Sequence, residues 1–248
     1  MLVFALSLPF YLLSVTGIYM PGMSFLPASA LMGFVPMAAA LMLTYRLDGG
    51  EGAVALLKSA FVYGRNQSAI WVFVAILFMP IVSLLEFGIL RLMGSAVPIP
   101  QITIGPSLFY FAAFFIGAIG EELGWQGYAY PRLRNGTSTF GSALILGIIW
   151  ALWHLIPFVG MGRSTTWIVW HLLGTVALRF IIVWLFENTG QSILIAILFH
   201  TMINLTWALF PIEGSFYDPF ITFTIFVSAL GLIGASGHFR LIESRTKI

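Results

Sequence analysis

The sequence contains no cysteine and very little charge. Of its 248 residues, nine are Asp or Glu and eleven are Lys or Arg, which is 8% of the chain, against about 25% in a typical soluble domain. Without cysteine, disulfides, thiolate nucleophiles and sulfur ligands for a metal are excluded. The formal net charge of +2 is too small to indicate nucleic acid as a partner. No repeat or low-complexity tract is visible, which predicts one membrane domain over 1–248.

Apolar residues make up 60% of the chain, and the mean hydropathy is +1.00. A run of about 20 apolar residues spans a bilayer as a helix. The sequence has eight such runs, at about 2–20, 26–45, 68–93, 106–129, 139–157, 165–186, 190–210 and 217–237. They predict an all-α, polytopic membrane bundle. We expect the first run to be a retained anchor, since it is long for a signal-peptide core and no basic segment precedes it.

One further helix is predicted along the membrane interface, from Gly49 to Gly64, because this piece is short and carries Glu51 and Lys58. The Lys and Arg residues then predict the orientation of the bundle. Eight fall on one face: Arg46, Lys58, Arg65, Arg132, Arg134, Arg240, Arg245 and Lys247. Only Arg91 and Arg163 fall on the other face, and we therefore expect both termini in the cytoplasm.

Three predicted spans carry ionisable or amide side chains inside their apolar runs, where a charge costs at least about 2.5–3.5 kcal/mol. At 1.5 Å per residue, Glu122 lies about 10–15 Å, His154 about 20 Å and His200 about 15 Å from the cytoplasmic helix ends. In an ideal helix, residues four apart share a face, whereas the neighbours Glu121 and Glu122 point about 100° apart. We therefore expect one glutamate to face a site and the other to face a structural partner. The motif residues are Glu121, Glu122, Gln126, Trp150, His154, His200 and Asn204.

Glutamate, two histidines and an asparagine suit the activation of water. A carboxylate in a poorly hydrated cavity can accept a proton from water, one imidazole can orient that water, and the other imidazole with an amide can stabilise an oxyanion. The same side chains could instead hold a divalent metal such as zinc, through Glu121, His154 and His200. Both routes end in amide hydrolysis, and the residues alone do not choose between them.

The order and spacing Glu121-Glu122-x-x-x-Gln126, Trp150-x-x-x-His154 and His200-x-x-x-Asn204 resemble the three motifs of the CAAX-protease and bacteriocin-processing (CPBP, or Abi) family, over about 106–210. The resemblance implies a glutamate-dependent intramembrane peptidase, of the type that removes the last three residues of prenylated proteins. The expected partners are therefore the bilayer and a hydrophobic or prenylated peptide. By position, the resemblance makes Glu121 the base, His154 its water-orienting partner, and His200 with Asn204 the oxyanion donors.

The chain departs from the family pattern at one position, where Gln126 stands in place of an arginine. A cation that would neutralise one glutamate is thereby lost, and Arg179, inside the sixth run, is the expected replacement, with Arg132 as a weaker candidate. The expected supporting or substrate-binding residues are Trp125, Gln126, Trp150 and Arg179. The second reading is a family member without catalysis, which would act as a peptide-binding or bacteriocin-immunity protein.

Other functional classes have weaker support in the sequence. Gly234-Ala-Ser236-Gly237 has the form of a rhomboid serine motif, but it lies at the end of the last run, with His238 badly placed for a dyad. His-Glu-x-x-His is absent, and the two aspartates are predicted in loops. A proton-coupled transporter would predict internal repeats, and none is visible.

Several other residues in or near the spans receive structural predictions. We expect His171 to be structural and Glu86 to be a snorkelling charge or paired locally near Arg91. The aromatic residues expected in an interfacial belt are Tyr45, Trp71, Trp167 and Tyr217. The glycines expected to allow close helix approach are Gly117, Gly120 and Gly124.

Overall fold

The computed structural model describes residues 1–63 and 68–236. Most of these residues are helical, and one two-stranded hairpin interrupts the helices. The elements in chain order are α1 (Leu2–Leu13), β1 (Tyr19–Met20), β2 (Met23–Pro27), a 3₁₀ helix (Ala28–Phe34), α2 (Val35–Ser59), α3 (Ile70–Leu92), α4 (Ile104–Glu122), a π-helix (Leu123–Ala129), α5 (Tyr130–Arg134), α6 (Thr139–Gly160), α7 (Thr165–Asn188), α8 (Ile193–Leu209), α9 (Pro211–Gly214) and α10 (Pro219–Ala235).

The helices confirm an all-α, polytopic membrane bundle. Within the described residues, five helical segments are long and apolar enough to cross a bilayer: Ala28–Ser59, Ile70–Leu92, Ile104–Arg134, Thr139–Gly160 and Thr165–Asn188. Three further apolar helices are shorter: Leu2–Leu13, Ile193–Leu209 and Pro219–Ala235. The eight predicted runs thus recur in order as apolar helices, although fewer than eight have full spanning length.

The first predicted span, 2–20, is wrong in its extent. Helix α1 ends at Leu13, and the Ser14 hydroxyl donates to the carbonyl of Tyr11, 2.7 Å away, within the last turn. Gly17 then adopts φ +70, a left-handed conformation that no helix continues through. The chain instead enters the antiparallel β1–β2 hairpin. Composition did not reveal this hairpin because its residues are as apolar as those of the helices.

The predicted interfacial helix begins where it was expected. Gly49 breaks α2 with φ 69 and ψ −166, and the helix after it ends at Ser59. Its exposed side includes Glu51 and Lys58. Gly64, the last residue of the predicted helix, lies outside the described residues, and the interfacial placement stays a prediction.

Terminal orientation and the single domain also stay predictions. Arg65, Arg240, Arg245 and Lys247, half of the cations counted on the cytoplasmic face, lie outside the described residues. So do Gly237 and His238 of the rhomboid-like sequence. The structure therefore tests neither the charge asymmetry nor that motif.

Helix packing brings the three motif-bearing segments together. Helix α8 packs between α3 and α4 and also contacts α7, while α7 packs between α6 and α10. The π-helix packs on α2, where a Cβ at Gly124 would lie 2.5 Å from the carbonyl oxygen of Pro36. A Cβ at Gly120 would likewise lie 2.6 Å from the carbonyl oxygen of Gly33. The prediction of close approach is wrong for Gly117, where a Cβ would meet nothing within 4 Å.

Candidate active site

A cavity of about 380 Å³ lies among α3, α4, α6, α7, α8 and the segment around the hairpin. Its wall is mainly apolar, as expected for a pocket that takes a hydrophobic ligand. The motif residues that line it are Glu121, Trp150, His154, His200 and Asn204. The other motif residues, Glu122 and Gln126, lie behind this wall. The structure thus brings residues of α4, α6 and α8 to one space.

Glu121 is the carboxylate that faces the cavity. Its Oε2 accepts a hydrogen bond from Trp150 Nε1 at 2.8 Å. Its Oε1 lies 3.8 Å from Nε2 of His200, near enough for attraction but too far for a direct hydrogen bond. One oxygen is therefore fixed by the indole, and the other is left toward the open space.

Glu122 points away from the cavity and is fully buried. Arg179 Nη1 donates to Oε2 at 3.0 Å and to Oε1 at 3.3 Å. His200 Nδ1 lies 2.7 Å from the same Oε1. A buried carboxylate stays ionised only where an opposite charge and hydrogen bonds compensate the cost of its desolvation. Arg179 of α7 and His200 of α8 supply both. The two adjacent glutamates therefore have different surroundings, one open and one enclosed.

His200 lies between the two carboxylates. Because a carboxylate only accepts hydrogen bonds, Nδ1 carries the proton that it shares with Glu122. Nε2 is then the nitrogen on the side of Glu121 and the cavity. This arrangement resembles the way in which an acidic partner fixes the orientation of a functional imidazole.

His154 is oriented by the backbone of its own helix. Its Nδ1 lies 2.9 Å from the carbonyl oxygen of Trp150, one turn earlier. The carbonyl accepts, so Nδ1 donates and Nε2 is left as the ring acceptor. The ring packs edge-on against Trp150 and Trp153 and is stacked with Phe158. These contacts restrict its rotation without using the second nitrogen.

Asn204 lies one helical turn after His200 and also lines the cavity. Within 1–63 and 68–236, its amide has no hydrogen-bond partner, although neighbouring polar side chains of α8 bond back to their helix. Its two donors are therefore available to a group inside the cavity.

Arg179 lies where the replacement cation was expected. Besides its contact with Glu122, its guanidinium lies 4.0 Å from the ring centroid of Trp150. Arg132 lies elsewhere, over the ring of Tyr128 at 3.5 Å. Gln126 is fully buried, and neither its amide oxygen nor its nitrogen has a partner among the described residues. The π-helix explains this, because its wider turn takes position 126 off the face that Glu122 occupies in an ideal α-helix.

The metal-bound alternative finds no ligand set. Among the residues that the structure describes, no group of three or more His, Asp or Glu side chains is placed to hold one ion. Glu121, His154 and His200 nevertheless line one cavity, and a divalent metal held by them stays a prediction.

The cavity has a second polar region, which we call the Glu86 end: Glu86, Arg163, Trp167, His171 and Tyr217. The region around Glu121, Glu122, Arg179 and His200 we call the Glu121 end. Burial raises the pKa of the Tyr217 hydroxyl above its ordinary value, so that it stays protonated at neutral pH, and its oxygen lies 3.1 Å from His171 Nδ1.

One prediction at the Glu86 end is wrong. Glu86 is neither snorkelling nor paired with Arg91: it is 2% exposed and accepts from the Asp218 amide at 2.6 Å and from the Thr222 hydroxyl at 3.0 Å. Trp167 and Tyr217 line the cavity, and their place in an interfacial belt stays a prediction. Their sequence positions near span ends gave no sign of this lining: Trp167 lies in the first turn of α7, and Tyr217 lies between α9 and α10.

The fold and the cavity define an integral membrane protein with a buried, mainly apolar binding space lined by a carboxylate, two imidazoles and an amide. Residues 103–206 match the family model described as Type II CAAX prenyl endopeptidase Rce1-like. The chain is also 31% identical over 156 residues to CAAX prenyl protease 2 of Methanococcus maripaludis, and the alignment covers 56% of each of the two chains. The chain thus matches little more than half the length of this relative. Both findings are similarities to CAAX prenyl proteases, and they support the resemblance seen in the three motifs.

Proposed function

We propose that the chain is an intramembrane endopeptidase that hydrolyses a peptide bond of a hydrophobic or prenylated peptide. The observation that carries the proposal is that Glu121, His154, His200 and Asn204 line one cavity. The relative named as a CAAX prenyl protease supports a prenylated peptide as the substrate class. Amide hydrolysis needs a general base, an oriented water and an oxyanion site, and these four side chains can supply all three.

Glu121 is the proposed base. Its Oε1 is not used by the Trp150 indole and can accept a proton from a water molecule, which then attacks the carbonyl carbon of the substrate. His154 Nε2, left as an acceptor by the bond of Nδ1 to Trp150, orients the same water. The proton taken by Glu121 passes to the amine that leaves when the carbon–nitrogen bond breaks, so that Glu121 is regenerated.

His200 and Asn204 are the proposed oxyanion donors. No group among the described residues uses the donors of the Asn204 amide, and His200 Nε2 faces the cavity while Nδ1 is held by Glu122. With a proton on both nitrogens, His200 donates to Glu122 and to the oxyanion at once. The Glu122–Arg179 pair fixes the imidazole and keeps the second carboxylate from acting as a competing base.

The test uses the full chain purified in detergent, with quenched-fluorescence peptides that carry or lack an S-farnesyl cysteine. Glu121→Gln should lower the cleavage rate by a factor of about 10²–10⁴, the usual contribution of a general base, while peptide binding is retained. Glu51→Gln, on the exposed side of α2, is the matched control and should cleave normally. Cleavage that survives Glu121→Gln would exclude this mechanism.

Two further outcomes have a defined meaning. Peptide binding without any cleavage by the unaltered chain would favour the non-catalytic reading. Cleavage that a chelator blocks and zinc restores would favour the metal route instead.

A further inference from the structure

Helix α6 contains a proline one turn after Trp153, and this proline leaves one carbonyl of the helix without its usual partner. Pro157 has no backbone N–H, so it cannot donate to the carbonyl of Trp153, four residues earlier. Trp153 is fully buried, and a buried carbonyl without a partner costs about as much as a lost hydrogen bond. This carbonyl therefore needs a donor from elsewhere in the protein.

Helix α1 supplies that donor. The Tyr11 hydroxyl donates to the Trp153 carbonyl oxygen at 3.1 Å. The Trp153 indole is bound by the same helix, because its Nε1 donates to the Ser7 hydroxyl oxygen at 2.7 Å, and that hydroxyl donates in turn to the Val3 carbonyl at 2.8 Å. Ser7 and Tyr11 lie four residues apart, on one face of α1, and both are buried. Helix α1 therefore holds Trp153 by its backbone and by its side chain.

The surroundings of Trp153 leave it little freedom to move. A Cβ at Gly160, the last residue of α6, would overlap the side chain of Ser14, the residue that follows α1. The two helices therefore approach closely at this end. From the π-helix, the Trp125 ring packs edge-on against Trp153, at 5.6 Å between centroids. Trp153 is thus held by contacts with both α1 and the π-helix.

The position of Trp153 determines that of His154 in two ways. The carbonyl that Tyr11 binds belongs to the peptide unit between Trp153 and His154, and a peptide unit is planar. The hydrogen bond thus fixes the orientation of the backbone that carries His154. The His154 ring also packs edge-on against the Trp153 indole, at 4.8 Å between centroids. The described residues that line the cavity include none from α1, so α1 acts on the site through α6.

We propose that α1 positions His154 for catalysis, with Tyr11 and Ser7 as the positioning residues. The inference rests on the proposed peptidase function, in which His154 Nε2 orients the attacking water. Both positioning residues lie outside 103–206, the segment that matches the family model. A proline inside a helix permits a bend, and the Tyr11 hydrogen bond keeps that bend in a single geometry. Without it, the Trp153 carbonyl is unpaired and the segment that carries His154 is free to shift.

The first experiment uses Tyr11→Phe, which removes only the hydroxyl. It should lower kcat for the farnesylated peptides by a factor of about 10 to 100, because a displacement of about 1 Å near the reacting atoms can cost that much. KM should stay within a factor of about two, since binding of the substrate in its ground state does not depend on the oriented water. Ser7→Ala, which leaves Trp153 Nε1 without its acceptor, should give a smaller loss of the same kind.

Tyr110→Phe is the matched control for Tyr11→Phe. The Tyr110 ring packs against Phe114 inside the bundle, but its hydroxyl has no hydrogen bond within 1–63 and 68–236. This variant should cleave normally. An equal loss of kcat in Tyr110→Phe and Tyr11→Phe would contradict a specific role for the Tyr11 hydroxyl.

Two double variants separate positioning of His154 from general support of the fold. In the His154→Ala background, Tyr11→Phe should lower the residual rate by less than about twofold, because residues that act as a unit do not contribute additively. Pro157→Ala restores a backbone N–H that can donate to the Trp153 carbonyl, so Tyr11→Phe should have little further effect in that background. The full loss in either background would overturn the proposal.

Failure of the inference is separate from failure of the proposed function. If no peptide is cleaved in a manner that depends on Glu121, the peptidase proposal fails, but the geometry of His154 can still be measured. With isotope-labelled histidine, the imidazole NMR signal of His154 is assigned by its loss in His154→Ala. A signal that broadens, splits or shifts in Tyr11→Phe, while that of His200 stays the same, would support positioning by α1. A His154 signal that is unchanged in Tyr11→Phe would overturn it.

Discussion

Glu122, behind the cavity wall, and Glu86, on the wall itself, are both almost fully buried, yet they are held in different ways. Glu122 receives Arg179 from α7 and His200 from α8, both ionisable and both distant in sequence. Glu86 receives a backbone amide and a hydroxyl from one short segment at the start of α10. The first arrangement balances charge among helices, and the second is a local cap. A buried carboxylate is therefore informative about function only once its partners are known.

The largest effect is expected where the charge balance of the Glu121 end is removed. Arg179→Leu leaves Glu122 buried without its cation, which should lower the free energy of unfolding by roughly 3–5 kcal/mol. Thermal unfolding in detergent measures this loss of stability. Adding Glu122→Gln to Arg179→Leu should recover part of the loss, since no uncompensated charge remains. If Arg179→Leu alone is as stable as the unaltered chain, the charge-balance interpretation is wrong.

Asn204→Ala tests whether the Glu121 end stabilises an oxyanion. Loss of one oxyanion donor typically lowers kcat by a factor of about 10²–10³, and the unpartnered amide predicts little change in stability. Steady-state kinetics with the farnesylated peptides measure the effect. Ser83→Ala, at another polar position on the cavity wall, is the control and should keep kcat within a small factor. An equal loss in both variants would contradict a specific role for Asn204.

Gly124→Ala tests how closely the rear of the Glu121 end packs on α2. The added methyl group would overlap the backbone of Pro36, and overpacking of this kind costs roughly 1–3 kcal/mol. Gly88→Ala in α3, where a Cβ meets nothing within 4 Å, is the matched control and should be neutral or slightly stabilising. Similar melting temperatures for the two variants would show that the approach is looser than described.

The smallest effect is expected at the Glu86 end, from Glu86→Gln. The glutamine oxygen can still accept from the Asp218 amide, and its amide can donate to the Thr222 hydroxyl. Stability should change by less than about 1 kcal/mol and the cleavage rate by a small factor. A loss of activity as large as that of Glu121→Gln would mean that Glu86 takes part in the chemistry, and would remove the contrast between the two ends.

The sequence predicted the Glu121 end better than the Glu86 end for a physical reason. Glu121, His154 and His200 interrupt long apolar runs, and the energetic cost of a polar group there makes each one conspicuous. The approach of Arg179 to Glu122 could be expected because both needed a partner. The inward turn of Tyr217, and the caps that Glu86 provides, depend on how the segment after α8 folds back, and no local pattern reports such a long-range contact.

Two local features also escaped prediction. The π-helix after Glu122 breaks the spacing rule that places residues four apart on one face, and the Gln126 amide within it has no partner among the described residues. The hairpin after α1 is hidden among residues as apolar as a span. Hydropathy identifies apolar segments, but over a few residues it does not distinguish a helix from a strand.

The Trp150 indole contacts four ionisable side chains at the cavity. Trp150 donates to Glu121, lies beneath the guanidinium of Arg179, and meets the rings of His154 and His200 edge-on. Side chains that share one neighbour do not contribute independently. The losses of activity measured for single substitutions will therefore sum to more than the loss measured when all of these side chains are replaced together. Only double-mutant cycles that include Trp150 will separate their contributions.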